Sequence, residues 1–245
     1  MSAKNRFGLK RNIPADVKRA VRQRCGFGCV VCGSSIYQYE HFDPEFKNAS
    51  EHQADGVTLL CGACHEKKTR KLWSKEKIAE NNRNPYALKQ GFSSDFFDVD
   101  VVQPTIIIGG TKFLGQGDLI IVKGTSIISI RPPVQANSPF LISGIFCNDL
   151  GNPMFSIVEN EFRNGIHNWD VEFIGPKMTI RREQGKIALV LKKEGRSSFI
   201  IERIDMRYQG WTITGIEGGP FVCQGGSNSI TIGGGGSIDG KIILL

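Results

Sequence analysis

The sequence predicts an α+β chain in two parts, a small N-terminal module of short strands and helices organised by paired cysteines, then an all-β domain. Three observations predict this. Five of the seven cysteines lie between residues 25 and 64, and four of them form the pairs Cys29-x2-Cys32 and Cys61-x2-Cys64. Glycine is rare early and common late, with 6 of the 29 glycines in residues 1–90 and 23 afterwards. Charge is divided in the same way: residues 1–90 hold 17 Lys+Arg against 9 Asp+Glu, and the remainder holds 14 against 15. The net charge of +7 therefore belongs to the cysteine-bearing part, where it favours a polyanionic partner.

The elements follow in order. Pro14 stands at a first-turn position, and Val17 and Val21 share a face at i,i+4 spacing, so residues 14–24 read as a short amphipathic helix. After the first cysteine pair, Ser35 to His41 has strand character, and a polar irregular stretch leads to Asp55-Gly56. Val57–Leu60 reads as a strand. From Cys64 to Asn82 the pattern is one helix, with Leu72, Trp73 and Ile78 as its apolar contacts. Asn81-Asn82-Arg83-Asn84-Pro85 ends it. The domain reading is a module over 1–88, a linker over 89–103 and an all-β domain over 104–245. In the last part, β-branched runs such as Thr105–Ile108, Leu119–Val122, Ile127–Ile130, Phe199–Ile204, Trp211–Ile216 and Ile242–Leu244 alternate with Gly, Asn and Pro turns, the pattern of a sandwich, barrel or β-roll. Two segments there, Asn168-Trp169-Asp170 and Met206 to Trp211, read as turns with packed aromatics or as a recognition patch for an unidentified ligand or protein partner. No run of about 18 apolar residues exists, so no bilayer crossing is expected. The basic start lacks an apolar stretch behind it, and the expected compartment is the cytoplasm.

Paired cysteines in a reducing compartment read as a metal site rather than as disulfides. Cys29, Cys32, Cys61 and Cys64 supply the four thiolates of tetrahedral Zn²⁺, with 28 residues between the pairs. Cys25 falls one residue too far away for a third pair and reads as a packed thiol, as do Cys147 and Cys223. Glu40-His41 ends the strand after the first pair, and His65 directly follows a ligand on a helix. Successive helical positions point about 100° apart, so Cys64 and His65 serve different sites. His41, His52 and His65 are three of the four histidines, whereas His167 lies in a turn-like context.

The run CVVCG…YEHFDP…DGVTLLCGACHEKKT resembles the HNH endonucleases of the Cys-knuckle type over about residues 20–80. The resemblance implies two strands and a helix around a divalent ion (a ββα-metal module), with His41 as general base. It also implies Glu40 and His65 as ligands of a catalytic Mg²⁺ or Mn²⁺, alongside the structural Zn²⁺, and DNA as the partner. The family's middle Asn, nine residues before the helix histidine, is here Gly56; Asp55 or His52 are the neighbours able to replace its polar group. Lys67, Lys68, Arg70 and Lys71 follow His65 as candidate phosphate contacts. The expected activity is metal-dependent hydrolysis of DNA phosphodiesters, with the β domain as sensor or regulator, by analogy with effectors against foreign DNA. The rival from another class is a catalytically silent zinc-ribbon module that binds nucleic acid, kept alive by Gly56.

Overall fold

The computed structural model describes residues 4–245. The protein mixes α and β but is strongly β-rich, with 45% of it strand and 16% helix. Contacts divide the described chain into two compact units: residues 4–95 with Asn164–Ile166, and Phe96–Arg163 with His167–Leu245. Among the described residues, no helix is long and apolar enough to cross a membrane.

The N-terminal unit opens with helix α1, Ala15–Arg24, entered through Pro14 and carrying Asp16 in its first turn and Arg22 and Arg24 in its last, which suits the helix dipole. Val21 is fully buried, and Val17 packs on the same core beside Val30, Leu59, Leu60 and Ile78. Arg22 Nη1 donates to the Tyr39 hydroxyl at 2.7 Å, and Arg24 Nη1 to the Ala54 carbonyl at 2.7 Å, so the last turn of the helix is tied to both segments. The first cysteine pair turns back on itself, with Cys29 N donating to Ser34 O and Gly33 N to Cys29 O, both at 2.8 Å. Gly33 sits at φ 78°, a left-handed conformation that glycine adopts without Cβ strain.

Strand β1, Gln38–His41, pairs antiparallel with β2, Val57–Leu60, placing Glu40 opposite Thr58 and His41 opposite Val57. All four residues of β2 are buried. Helix α2, Gly62–Thr69, starts at Cys61, whose Sγ accepts from Cys64 N at 3.4 Å.

The single helix expected from Cys64 to Asn82 is instead two. α2 stops at Thr69, Arg70 caps it, and Lys71 takes φ 61° before Ser74 caps helix α3, Lys75–Arg83, accepting from Lys77 N at 3.2 Å. Leu72, expected to pack, is 70% exposed. The break has a physical reason: Cys64 and Ile78 are the buried residues of the two helices, and they lie fourteen positions apart with no apolar face joining them. Ser74, an N-cap residue, lets the chain restart at an angle that buries Ile78. A short helix α4, Tyr86–Gln90, and strand β3, Phe92–Phe96, follow. β3 braces the first cysteine turn: Ser35 N donates to Ser94 O at 3.0 Å, and the buried Ser35 and Ser93 hydroxyls meet at 2.8 Å.

The second unit is built from antiparallel meanders. Gly117–Val122, Thr125–Arg131, Leu141–Cys147, Pro153–Val158 and Glu161–Gly165 lie in chain order in one sheet, and the tail strand Ile242–Leu244 adds parallel to its first member. A second sheet runs Asp170–Ile174, Lys177–Glu183, Lys186–Glu194, Ser198–Tyr208, Trp211–Ile216, Phe221–Gly225 and Asn228–Ile232, with Thr105–Ile108 parallel beside Ser198–Tyr208. Most strands alternate buried and exposed positions, and most of the turns between them contain a glycine or asparagine at positive φ. Rings from both sheets meet: Phe162 lies 5.6 Å from Phe173, and Phe97 lies 4.5 Å from Phe162 and 5.2 Å from Phe199. Cys147 and Cys223 are fully buried, His167 is exposed in a turn, and Trp211 is 6% exposed with its indole N–H on the Leu245 carbonyl. Trp211 is thus a packed aromatic, not part of a surface patch.

Candidate metal centre and basic cleft

The two cysteine pairs come together because β2 runs straight into α2 while the first pair folds back over it. The four Sγ atoms of Cys29, Cys32, Cys61 and Cys64 all lie within 4.8 Å of one another. Cys32 Sγ is 3.6 Å from Cys61 Sγ and 3.8 Å from Cys64 Sγ. Four sulfurs around one ion at about 2.3 Å are separated by roughly 3.8 Å, so this donor set fits a structural metal such as zinc. Cys29 and Cys64 are buried, and burial pushes the Cys64 thiol up to about 12, with the neighbouring Cys29 sulfur adding to the effect. Four crowded thiols cannot all ionise unaided, and a divalent cation removes that obstacle. Cys25 stays outside the cluster, buried near the Thr58 hydroxyl, and burial raises its thiol as well.

One position along α2, His65 points elsewhere, as the helical step requires. Its Nε2 lies 2.9 Å from Glu40 Oε2, and Lys68 Nζ holds the other carboxylate oxygen at 2.5 Å. Glu40 and Lys68 are 15% and 17% exposed at their side chains and His65 32%, so the contact is half-buried.

Next to Glu40, His41 Nε2 meets His52 Nδ1 at 3.0 Å, and His52 Nε2 meets the Lys10 carbonyl at 2.9 Å. The edge of His41 packs against Phe46, which in turn carries the Arg11 guanidinium 4.7 Å above its ring. Burial lowers the His41 pKa and the neighbouring His52 lowers it further, against a smaller opposite pull from Glu40. Both larger causes favour the uncharged ring over the imidazolium.

Glu40, His41 and Lys68 line one open cleft of about 590 Å³, whose walls also carry Arg11, Lys47, Lys71 and Lys75 with Phe46 and Trp73. Glu45 lies among these cations, and Lys47 and Lys75 hold its carboxyl down at about 2. Of the four cations expected to follow His65, Lys68 and Lys71 line this cleft. Lys67 stacks on Trp73 at 5.0 Å, and Arg70 turns back to Glu66 at 2.6 Å. The helix break produces this division, because Lys71 sits in the turn that leads to Lys75. Arg11, Lys47 and Lys75 were missed from sequence. They are far apart in the chain, and only the excess of Lys and Arg in residues 1–90 signalled them.

Gly56, where the resemblance to HNH endonucleases implies an Asn, is buried against the backbone of the preceding loop. A Cβ there would run into the Asp43 carbonyl oxygen, and Gly56 O accepts from Phe42 N at 3.0 Å. No side chain fits at this place. Asp55 beside it pairs with Arg24 at 3.1 Å and does not line the cleft.

No family model, curated protein or solved structure matches this chain.

Proposed function

We propose that residues 20–80 form an HNH-type ββα-metal module, and that this protein is a metal-dependent endonuclease hydrolysing DNA phosphodiester bonds, with the β-rich second unit as its sensor or regulator. One observation carries the reading: Glu40 and His41 open into a single cation-lined cleft, with His65 bonded to that same Glu40. Zinc on the four cysteines holds β1, β2 and α2 in register. Glu40 Oε2 and His65 Nε2, 2.9 Å apart, are an oxygen and a nitrogen donor that would hold Mg²⁺ or Mn²⁺. When bound there, such an ion supplies Lewis-acid stabilisation of the leaving oxygen.

The chain's own groups do the rest. His41, at the cleft wall, takes a proton from a water. The water oxygen bonds to phosphorus and the P–O3′ bond breaks; solvent protonates the departing oxygen, leaving a 5′-phosphate and a 3′-hydroxyl. Lys71, Arg11 and Lys47 hold the flanking phosphates without reading bases. Lys68 keeps one oxygen of Glu40 engaged and leaves the other directed at His65.

Supercoiled plasmid incubated with Mg²⁺ or Mn²⁺ tests this. The wild type should nick it, and His41→Ala should lose about 10²–10⁴-fold in rate. Plasmid binding without nicking under either cation overturns the enzyme reading and leaves the silent nucleic-acid-binding module, which Gly56 favours.

A further inference from the structure

Among the groups around the cleft, His52 has the best-defined geometry with no assigned task. We propose that His52 is a positioning residue that fixes the tautomer of His41, with the Lys10 carbonyl as its anchor. The proposal rests on the nuclease reading for its consequence in rate, but not for its geometry.

The argument is one of donors and acceptors. A carbonyl oxygen only accepts, so His52 Nε2, 2.9 Å from Lys10 O, carries the proton. A neutral imidazole has one N–H, so His52 Nδ1 is an acceptor. His41 Nε2, 3.0 Å from it, must then donate. That leaves Nδ1 of His41 as the nitrogen with a lone pair, on a ring that lines the cleft. The opposite tautomer of His41 would set two lone pairs against each other. The order Lys10 carbonyl, His52, His41 therefore dictates which nitrogen can accept a proton.

Two further observations support the assignment. First, the anchor is itself held. Lys10 belongs to an N-terminal arm bridged to itself at Lys4 and Lys10, and Asn5 Nδ2 donates to the carbonyls of Phe46 and Ala49 at 2.6 Å each. Asn5 Oδ1 accepts from Phe7 N and Leu9 N, which closes the arm's turn. The arm is thus tied to the loop that leads into His52, and Lys10 O is a fixed point rather than a free carbonyl. Second, position 56 is closed to any side chain, since a Cβ on Gly56 meets Asp43 O. A partner for His41 has to come from somewhere else in the loop, and His52 is the residue that reaches it.

The test is ring-¹⁵N NMR of the zinc-loaded full chain labelled at histidine, together with plasmid-nicking kinetics of the same samples. With four histidines in the chain, His41→Ala and His52→Ala assign the signals. In the wild type, His41 should show a protonated Nε2 and an unprotonated Nδ1. In His52→Ala it should average between tautomers, with kcat down about 10–100-fold and KM unchanged. His52→Asn places an amide oxygen where Nδ1 stood, and should restore both the single tautomer and most of kcat. A protonated Nδ1 on His41 in the wild type overturns the proposal. So does a His41 signal indifferent to His52→Ala and His52→Asn alike. If the tautomer responds as stated while no sample nicks DNA, the relay stands and the nuclease reading falls.

Discussion

The two units hold their interiors together by different means. The β-rich unit buries Phe113, Phe146, Phe155, Phe199 and Phe221 to below 2% exposure, and this apolar surface stabilises it by burial. The N-terminal unit has a small core around Val21, Phe42, Leu59, Leu60 and Ile78, with Phe27 buried beside it, and two of the buried side chains in the cluster are the metal-type cysteines Cys29 and Cys64. Its hairpin has four residues per strand. A core of this size leaves much of the stability to a cross-link. The difference also explains where the candidate chemistry lies. A thin module whose centre is a cysteine cluster keeps Glu40 and His41 half-buried at a cleft wall, whereas the broad sheets turn their large side chains inward.

That contrast can be broken or sharpened in order of expected effect. Removing metal with a strong chelator should have the largest consequence, since bound structural zinc contributes about 10–16 kcal/mol of apparent free energy. Hydrogen exchange should show protection lost across Cys29–Cys64 and retained in the strands of the second unit. Equal loss in both units would remove the distinction. Next, Phe155→Ala should cost the β-rich unit about 3–5 kcal/mol by leaving a cavity, with no change in the chelator concentration that unfolds the N-terminal unit. Urea unfolding and a chelator titration measure the two halves of that statement. Gly56→Asn should destabilise the N-terminal unit by about 1–3 kcal/mol, because the new Cβ displaces the Asp43 carbonyl. A variant at least as stable as the parent, and faster at nicking, would show that the glycine is a lost residue rather than a steric requirement. The smallest effect is expected at the cleft cations. Arg11→Ala and Lys47→Ala should each flatten the log–log salt dependence of DNA binding by about 0.9, and Arg70→Ala, paired with Glu66 outside the cleft, should leave it unchanged. A slope insensitive to Arg11 and Lys47 would take the DNA out of this cleft.

Much of this organisation was legible in the chain. The four cysteines announce themselves by spacing, because two thiolates three positions apart can share one tetrahedral ion whatever surrounds them. Thr105–Ile108, Trp211–Ile216 and Ile242–Leu244 have the ends read for them, since β-branched runs bounded by Gly and Asn carry their own limits. The break between Thr69 and Lys75 was not legible. A Lys-rich stretch with scattered apolar residues satisfies a helical pattern, and only the demand that Ile78 be buried makes Ser74 a cap instead of an interior residue. Strands such as Leu141–Cys147 and Pro153–Val158 carry glycine, serine and proline that mask their period.

The sequence by itself determined the metal-type donors, the two-part organisation of charge and glycine, and the β character of the second half. These follow from local spacing and composition, which no later contact can alter. Tertiary structure alone decided that Glu40 lies between His65 and Lys68, that Arg11, Lys47 and Lys75 share a cleft with His41, and that the Lys10 carbonyl sets the direction of the His52–His41 hydrogen bond. Those contacts join residues from six to 42 positions apart, brought together across loops rather than along one element. Their geometry depends on how loops close over a small core, and no periodicity in the chain encodes that.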